Sequence, residues 1–179
     1  MKKTTLIIVI AILVIAAIIG ALLFVEPTAK SNLNITSAQD LTTLIDSIYK
    51  GVTIEMPGVM SNEVDVTDAE MVKFTTGLEN GNELEHLVVS EPMMSSQAYS
   101  LVLAKVKSGA NASKIAETMK DNIDTRKWIC VTAEKVYATS SGDVVFLVMT
   151  RTDLADAVYS SFKTLAGSVG TEFERTEQI

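Results

Sequence analysis

Residues that carry most enzyme chemistry are scarce in this sequence, which has a single cysteine, Cys130, and a single histidine, His86. One cysteine forms no internal disulfide, so the fold has to be stabilised by its hydrophobic core. A zinc site of the Cys/His type needs about four ligands, more than these two residues supply. The sequence also lacks a Gly-rich phosphate loop and a Ser-His-Asp order. These absences disfavour most hydrolytic and metal-dependent chemistry.

Basic residues are also few. From Ser31 onward the chain has 12 lysines and arginines against 21 aspartates and glutamates, a balance of −9. This sign is unfavourable for nucleic acid and for anionic lipid headgroups. We therefore expect no nucleic-acid partner. The domain predicted at 37–167 has about 130 residues, enough to form one solvated domain with its own core.

One long uncharged stretch runs from Leu6 to Val25, and 15 of its 20 residues are Leu, Ile, Val or Phe. As a helix it would be about 30 Å long, which matches the hydrocarbon core of a bilayer. Its insertion would be favourable by about 5 to 9 kcal/mol. Lys2 and Lys3 precede it, so the N-terminus should stay in the cytoplasm. The sequence predicts a single-pass signal-anchor at residues 6–25, with everything after it extracytoplasmic.

Two alternatives to an uncleaved anchor are less favourable. The run is longer than the apolar core of a cleaved signal peptide, about 7 to 15 residues, and Pro27 would occupy a position that needs a small residue. A lipid anchor is excluded because Cys130 is far from the run. The predicted division is a cytoplasmic tail at 1–5, the anchor at 6–25, a tether at 26–36, an extracytoplasmic domain at 37–167 and a flexible tail at 168–179.

The first helix of the domain begins after Ser37, a good N-cap, and Asp40 suits its first turn. Gly51 lies just past the last turn, where a left-handed residue often ends a helix. The apolar residues at helical spacing form one face, which is either packed in the core or an interaction surface. We favour packing, because the tether is short. The residues of this face are Leu41, Leu44, Ile45 and Ile48.

The rest of the domain contains alternating helical and extended patterns. A capping-box pattern at Thr67–Glu70 predicts a short helix to about Thr76. Asn111 or a neighbour should cap a long helix, and Asp153 should cap a final one that ends at Gly167. Ser140–Asp143 is a hairpin turn. The predicted extended segments are His86–Met94, Ala98–Lys107, Ile129–Thr139 and Asp143–Thr150.

A weak internal repeat appears when the chain is shifted by 43 residues, so that each copy contains two strands and a helix. Leu101 then meets Val144, Leu103 meets Phe146, and the two helical stripes also align. Two such units predict an α+β fold, a ββαββα-type antiparallel sheet of four strands with the additional N-terminal helix. The strand 144–149 is apolar on both sides, so both sheet faces need cover. We expect the repeat helices on one face and helix 37–50, or a partner, on the other.

A longer pattern starts at Glu91 and reads EPMMSSQAYSLVLAKVKSG, then a helix ending IDTRKWIC, then AEKVYATSSGDVVFLVM. Its Pro-Met-Met bend, basic helix end and Ser-Gly-Asp hairpin resemble the bacterial domain of unknown function 4358 family. The resemblance covers about Leu41 to Leu165. It implies an anchored or lipid-linked extracytoplasmic protein of Gram-positive bacteria, and no catalytic residue, because that family has no established activity. The chain departs from many such proteins in having no lipobox cysteine.

Several residue sets carry chemistry in principle, but each has a simpler interpretation. His86 lacks an orienting partner, so we expect a structural or surface histidine. Cys130 follows basic residues that could activate a thiol, but we expect a small buried side chain. The acids Glu63, Asp65, Asp68 and Glu70 lack the spacing of a calcium loop and are interpreted as a solvated loop with a helix cap.

Met56, Met60, Met93 and Met94 have the soft thioether ligands of a copper site, but they lack a tight cluster and should fill gaps in the core. Asn111-Ala112-Ser113 matches a glycosylation sequon, a pattern common by chance. We therefore predict no cofactor and no metal. The favoured function is a non-catalytic module that binds another envelope protein or a wall component. The alternative is an anchored enzyme that uses Cys130 or paired carboxylates.

Overall fold

The computed structural model describes residues 31–94 and 96–178. The anchor predicted at 6–25 lies outside the described residues. Within the described part of the chain, no helix is both long and apolar enough to cross a membrane.

The described residues form an α+β domain with six strands and four helices. The strands are β1 (Val59–Glu63), β2 (Leu84–Pro92), β3 (Ser100–Val106), β4 (Lys135–Ser141), β5 (Val144–Thr150) and β6 (Phe173–Thr176). The helices are α1 (Ala38–Lys50), α2 (Ala69–Thr76), α3 (Ala112–Asn122) and α4 (Thr152–Ala166). All six strands belong to one antiparallel sheet with the order β1-β2-β3-β5-β4-β6.

Strand β5 lies in the middle of the sheet and is buried on both sides along its whole length. On one face, α1 and α4 pack on Phe146 and its neighbours, and the Phe146 and Phe162 rings stack with centroids 4.3 Å apart. On the other face, α3 and the buried Val72 of α2 belong to a second cluster with Leu147. The prediction that both faces need cover is confirmed.

The two repeat helices lie on opposite faces, so the prediction that both cover one face is wrong. Helix α3 connects β3 to β4 across β5, and α4 connects β5 to β6 across β4. Each connection joins a strand to the next strand but one, and both run in the same direction along the sheet. Their starting strands, β3 and β5, are antiparallel. Because crossover connections are nearly always right-handed, two such connections from antiparallel strands place their helices on opposite faces. Helix α1 consequently shares its face with α4.

The sheet is wider than the four strands predicted, because a short strand is added at each edge. β1 follows a Pro-Gly turn, and β6 lies in the segment predicted to be a flexible tail from residue 168. That prediction is wrong for the described tail residues. The Arg175 guanidinium donates to the carbonyls of Lys120, Asp121 and Ile123 at 2.6 to 2.8 Å, which caps the end of α3 and fixes β6.

Two helix ends differ from prediction in their detail. Gly51 has φ −84°, so it is not left-handed. Glycine is needed there because a Cβ would lie 2.3 Å from Ser161 Oγ, which donates to the Ile48 carbonyl. In α2 the N-cap is Asp68 rather than Thr67, and the Asp68 carboxylate accepts the first backbone N–H groups of the helix.

Helix α4 is capped from outside rather than by Asp153. The N-cap position is Arg151, whose side chain makes no capping bond. Instead, the Glu134 carboxylate, just before β4, accepts from the backbone N–H of Thr152 at 2.9 Å. Asp153 lies within the first turn and pairs with Arg151.

The chain enters the domain at one end of the sheet. The Asn32 N–H donates to the Ala166 carbonyl at 3.0 Å, and Ser31 Oγ lies 2.9 Å from Ser141 Oγ. Ile35 is buried in the core, so the predicted tether 26–36 is wrong for its described part. We call the end that carries the β4–β5 turn the hairpin end. The opposite end, where β2 and β5 finish, is the loop end.

Leu44 provides a test of the packing of α1, because its side chain is only 7% exposed. We expect Leu44→Ala to lower the free energy of unfolding by about 2 to 5 kcal/mol, the range for buried leucine truncations. Urea unfolding of residues 31–179 measures this. Thr43→Ala on the exposed side of the same helix is the matched control, with a change below about 0.5 kcal/mol. Equal values for the two variants would contradict the packing.

Candidate functional site

Three irregular connections meet at the loop end of the sheet. They are the α1–β1 connection (residues 51–58), the β2–β3 connection (residues 93–99, with residue 95 outside the described part) and the α3–β4 connection (residues 123–134). The Arg151 guanidinium, at the end of β5, donates to the Glu55 carbonyl at 2.9 Å and ties the first connection to the sheet. The Ala133 N–H donates to the Thr125 carbonyl within the third connection.

These connections line an open cavity of about 370 Å³ on the sheet face that carries α1 and α4. A cavity of this size lies in the range of small-molecule sites, about 300 to 1,000 Å³. Its polar groups are mostly uncharged amides, hydroxyls and carbonyls, with one guanidinium and one carboxylate at its margin. The lining residues are Glu55, Met56, Pro57, Gln97, Ala98, Tyr99, Val131, Thr132, Thr150, Arg151 and Leu154.

Tyr99 lines this cavity and is paired with Tyr49. The Tyr99 hydroxyl donates to the Tyr49 hydroxyl at 3.2 Å, and the Tyr99 ring is buried while the Tyr49 ring is partly buried. Burial raises the pKa of Tyr49 to about 12, because the phenolate would lose its hydration. Both side chains therefore stay neutral at physiological pH and act as hydrogen-bonding groups, not as acids.

On the other face of the sheet, the loop end contains a buried ion pair. Lys127 Nζ lies 2.6 Å from the Glu91 carboxylate, and the Lys127 side chain is only 2% exposed. The ammonium also lies 4.9 Å from the centre of the Phe74 ring and 5.6 Å from the Trp128 ring, both within reach of a cation–π interaction. Burial lowers the pKa of Lys127, while the Glu91 carboxylate acts in the opposite direction.

Exposed apolar side chains occur next to this ion pair and in the connections at the same end of the sheet. Met60 is paired with Glu91 across β1 and β2, and the half-exposed Phe74 covers Lys127. Ile129 is 69% exposed in the α3–β4 connection, and Met93 is 78% exposed just after β2. The loop end therefore presents an apolar surface made of Met60, Phe74, Met93, Met94 and Ile129, which we call the loop-end surface. Surfaces of this kind usually mark interaction sites.

His86 and Cys130 are at opposite ends of the sheet. His86 is six residues before Pro92 on β2, which corresponds to about 20 Å at about 3.3 Å per residue. Cys130 belongs to the loop end. The two side chains therefore cannot form the hydrogen-bonded thiol–imidazole pair of a cysteine hydrolase. The His86 Nδ1 atom lies 4.0 Å from Glu63 Oε1.

Cys130 is exposed, so the prediction of a small buried side chain is wrong. It has φ +61°, an uncommon left-handed conformation for a residue other than glycine. The predicted extended segment Ile129–Thr139 also begins too early, because β4 starts only at Lys135. The irregular backbone before β4 directs Cys130 away from the core.

The acids singled out in the sequence serve local structure. The Asp65 carboxylate accepts from the Thr67 N–H and hydroxyl, and these hydrogen bonds lower its pKa. Asp68 caps α2. Asn111, from the sequon, caps α3 by accepting from the Lys114 N–H at 3.0 Å. Among the described residues, no group of three or more His, Cys, Asp or Glu side chains is arranged to hold a metal ion.

Three of the four methionines singled out in the sequence do not fill the core as predicted. Met56 is partly buried beside the first cluster, but Met60, Met93 and Met94 are exposed. The buried pair was also missed, although strand alternation contains a signal for it. Glu91 follows Leu87 and Val89 at alternate positions and so faces the same buried side, where an acid needs a cation.

In comparisons with known proteins, no protein-family model, curated protein or solved structure matches this chain.

The Glu91–Lys127 pair provides a test of the site's electrostatics. We expect Glu91→Gln to destabilise the fold by about 3 kcal/mol, because it leaves a buried ammonium without its partner. Adding Lys127→Met should restore most of that loss. Urea unfolding of the two single variants and the double variant measures the coupling. Additive losses would contradict a buried pair.

The contribution of Lys127 to the unfolding free energy should depend on pH. Since the pKa of Lys127 is lower in the folded state, the unfolded chain binds more protons as the pH approaches about 10.4, the ordinary value for lysine. The unfolding free energy of the native chain should therefore rise with pH in that window relative to Lys127→Met. A flat difference would contradict it.

Proposed function

We propose that this chain is a single-pass membrane-anchored, extracytoplasmic module of the bacterial cell envelope, which binds another envelope protein or a wall component without catalysing a reaction. The loop end is its binding region. The anchor is the uncharged run Leu6–Val25, and the resemblance to the domain of unknown function 4358 family favours the same location.

The observation that carries the proposal is that the chain enters the domain at one end and the candidate binding region lies at the other. The chain enters at the hairpin end, through the bonds of Asn32 to Ala166 and of Ser31 to Ser141. The cavity and the loop-end surface are at the other end of seven-residue strands, about 20 Å away. An anchored domain held at one end presents the other end outward.

The short connection to the anchor strengthens this orientation. Ser31 follows Val25 by six residues, and a fully extended chain covers at most about 3.6 Å per residue. The hairpin end therefore stays within about 20 Å of the end of the proposed anchor. A partner anchored elsewhere or located in the wall meets the loop end first.

The chemistry of the loop end favours binding over catalysis. His86 and Cys130 are too far apart to act together, and the acids near β1 cap local turns. Exposed methionines are flexible and polarisable, so they adapt to apolar partner side chains. The adjacent cavity adds amide and hydroxyl groups that give orientation.

Cys130 provides a direct test of topology, because it is the only cysteine in the sequence and it is exposed. We expect a membrane-impermeant maleimide to label Cys130 on intact cells, as measured by a gel-mobility shift. Cys130→Ser is the control and should show no shift. Labelling only after permeabilisation would reverse the proposed topology.

The binding region is tested by photo-crosslinking in cells. A photoreactive residue at Met94 on the loop end should give discrete adducts, whereas one at the exposed Ser108 near the hairpin end should not. His86→Ala should leave the Met94 adducts unchanged, because His86 lies near the hairpin end, away from the proposed binding region. Adducts only from Ser108, or loss of the Met94 adducts in His86→Ala with the fold intact, would refute the proposal.

A further inference from the structure

The edge strand β1 has an unused hydrogen-bonding side. The Met93 N–H donates to the Gly58 carbonyl, and the Val64 N–H donates to the Leu87 carbonyl. In the antiparallel register of β1 and β2, these two bonds show which residues between 58 and 64 direct their backbone groups toward β2. Residues 60 and 62 therefore face β2 with their backbone groups. The N–H and C=O groups of Val59, Ser61 and Glu63 point away from the sheet, and no described strand pairs with them.

The other edge of the sheet is less available. By the same alternation, the bond from the Glu177 N–H to the Glu134 carbonyl leaves only Glu174 and Thr176 facing outward on β6. The Glu174 side chain lies 3.6 Å from Lys135. Charged residues and short length are the usual protection of an edge strand. β1 carries one charge, Glu63, at its last residue.

The sequence on both sides of β1 is strongly acidic. Between Glu55 and Glu85 the chain has eight acids and one base, Lys73, and in the fold Lys105 also lies 4.0 Å from Glu85. Four acids at or just after the end of β1 are exposed, namely Glu63, Asp65, Asp68 and Glu70. A strand approaching this edge therefore meets negative charge.

We propose that the free edge of β1 receives an extended basic segment of another envelope protein as a seventh strand of the sheet. Backbone hydrogen bonds to Val59, Ser61 and Glu63 supply the affinity, as in other cases of strand addition. This proposal rests on the binding function given above and names its partner chemistry.

The side-chain alternation of β1 sets the pattern of the incoming segment. Met60 is 53% exposed and lies on the face of the loop-end surface, whereas Glu63 lies on the opposite face. A complementary strand has apolar residues beside Met60 and lysine or arginine beside Glu63. An alternating apolar–basic segment satisfies both faces.

The charge also disfavours a second copy of this chain as the occupant. Pairing of β1 with β1 of another molecule would bring two acidic segments together, each with the residues Glu55–Glu85. Like charges placed opposite each other oppose association. The partner is therefore a different, basic chain.

The experiment uses the full-length chain in detergent micelles and an eight-residue peptide of alternating lysine and valine. Hydrogen exchange is followed by mass spectrometry at single-amide resolution. We expect exchange at Val59, Ser61 and Glu63 to slow about tenfold with the peptide. An alternating glutamate–valine peptide should have no effect, because its charge is repelled.

Ser61→Pro removes one outward N–H without breaking a bond to β2, so it should abolish this protection. Ser61→Ala is the matched control and should retain it. Protection of Leu103 and Leu147 reports whether each variant is folded. If Ser61→Pro does not fold, Glu63→Lys replaces it and should weaken the effect of the basic peptide.

Three results would overturn the proposal: unchanged exchange at the three residues, equal protection by the acidic peptide, or protection that rises with protein concentration in the absence of peptide. The last would identify a second copy as the occupant. The Met94 adducts separate the two proposals. Adducts without edge protection would leave the binding module intact and remove only strand addition, whereas absence of both would remove the module as well.

Discussion

The strand β5 is apolar on both of its sides, and this single property determines most of the architecture. Phe146 and Leu147 are adjacent in the chain but belong to different core clusters. Each cluster has to be closed by helices, because an uncovered face would leave several large side chains in water. One layer of helices cannot satisfy such a strand. The domain is therefore three layers thick, with the sheet between α1 and α4 on one face and α2 and α3 on the other.

The route of the chain around β5 also decides where irregular backbone collects. Helix α1 runs toward the loop end, and so does α3, since each begins near the hairpin end and finishes beside Gly51 or Thr125. The connections that follow them lie at the loop end, together with the β2–β3 connection. Backbone outside regular structure and exposed apolar side chains occur there together. Functional sites are often found on loops of this kind, held by a rigid scaffold.

The sequence was sufficient for elements with strong periodicity and insufficient where tertiary context decides. Ser37 and Asn111 cap their helices as predicted, and β5 is recognisable from its continuous apolar residues. β1 is short and largely polar, and β6 is tied down by a bond network of Arg175 that no local pattern reveals. The sheet face that α3 or α4 covers depends on the order of the strands in the sheet. The internal repeat in the sequence gives no information on that order.

The candidate site also depends on tertiary context that the sequence does not reveal. The exposure of Cys130 follows from one left-handed backbone conformation, and composition alone favours a buried cysteine. The exposed Met93 likewise belongs to the bend after β2, where the core ends. The Glu91–Lys127 pair joins residues that are 36 positions apart in the sequence. Only the folded chain brings them together.

The attachment of Asn32 at the hairpin end has a mechanical consequence for an anchored domain. A partner held at the loop end would pull along the direction of the strands, against the membrane attachment at the other end. The hydrogen bonds of a sheet lie across its strands, so this load is shared by many bonds in shear and does not open them one after another. Tension applied across the strands, from β1 to β6, would separate the same bonds sequentially. The sheet therefore resists force between the hairpin end and the loop end better than force across its strands.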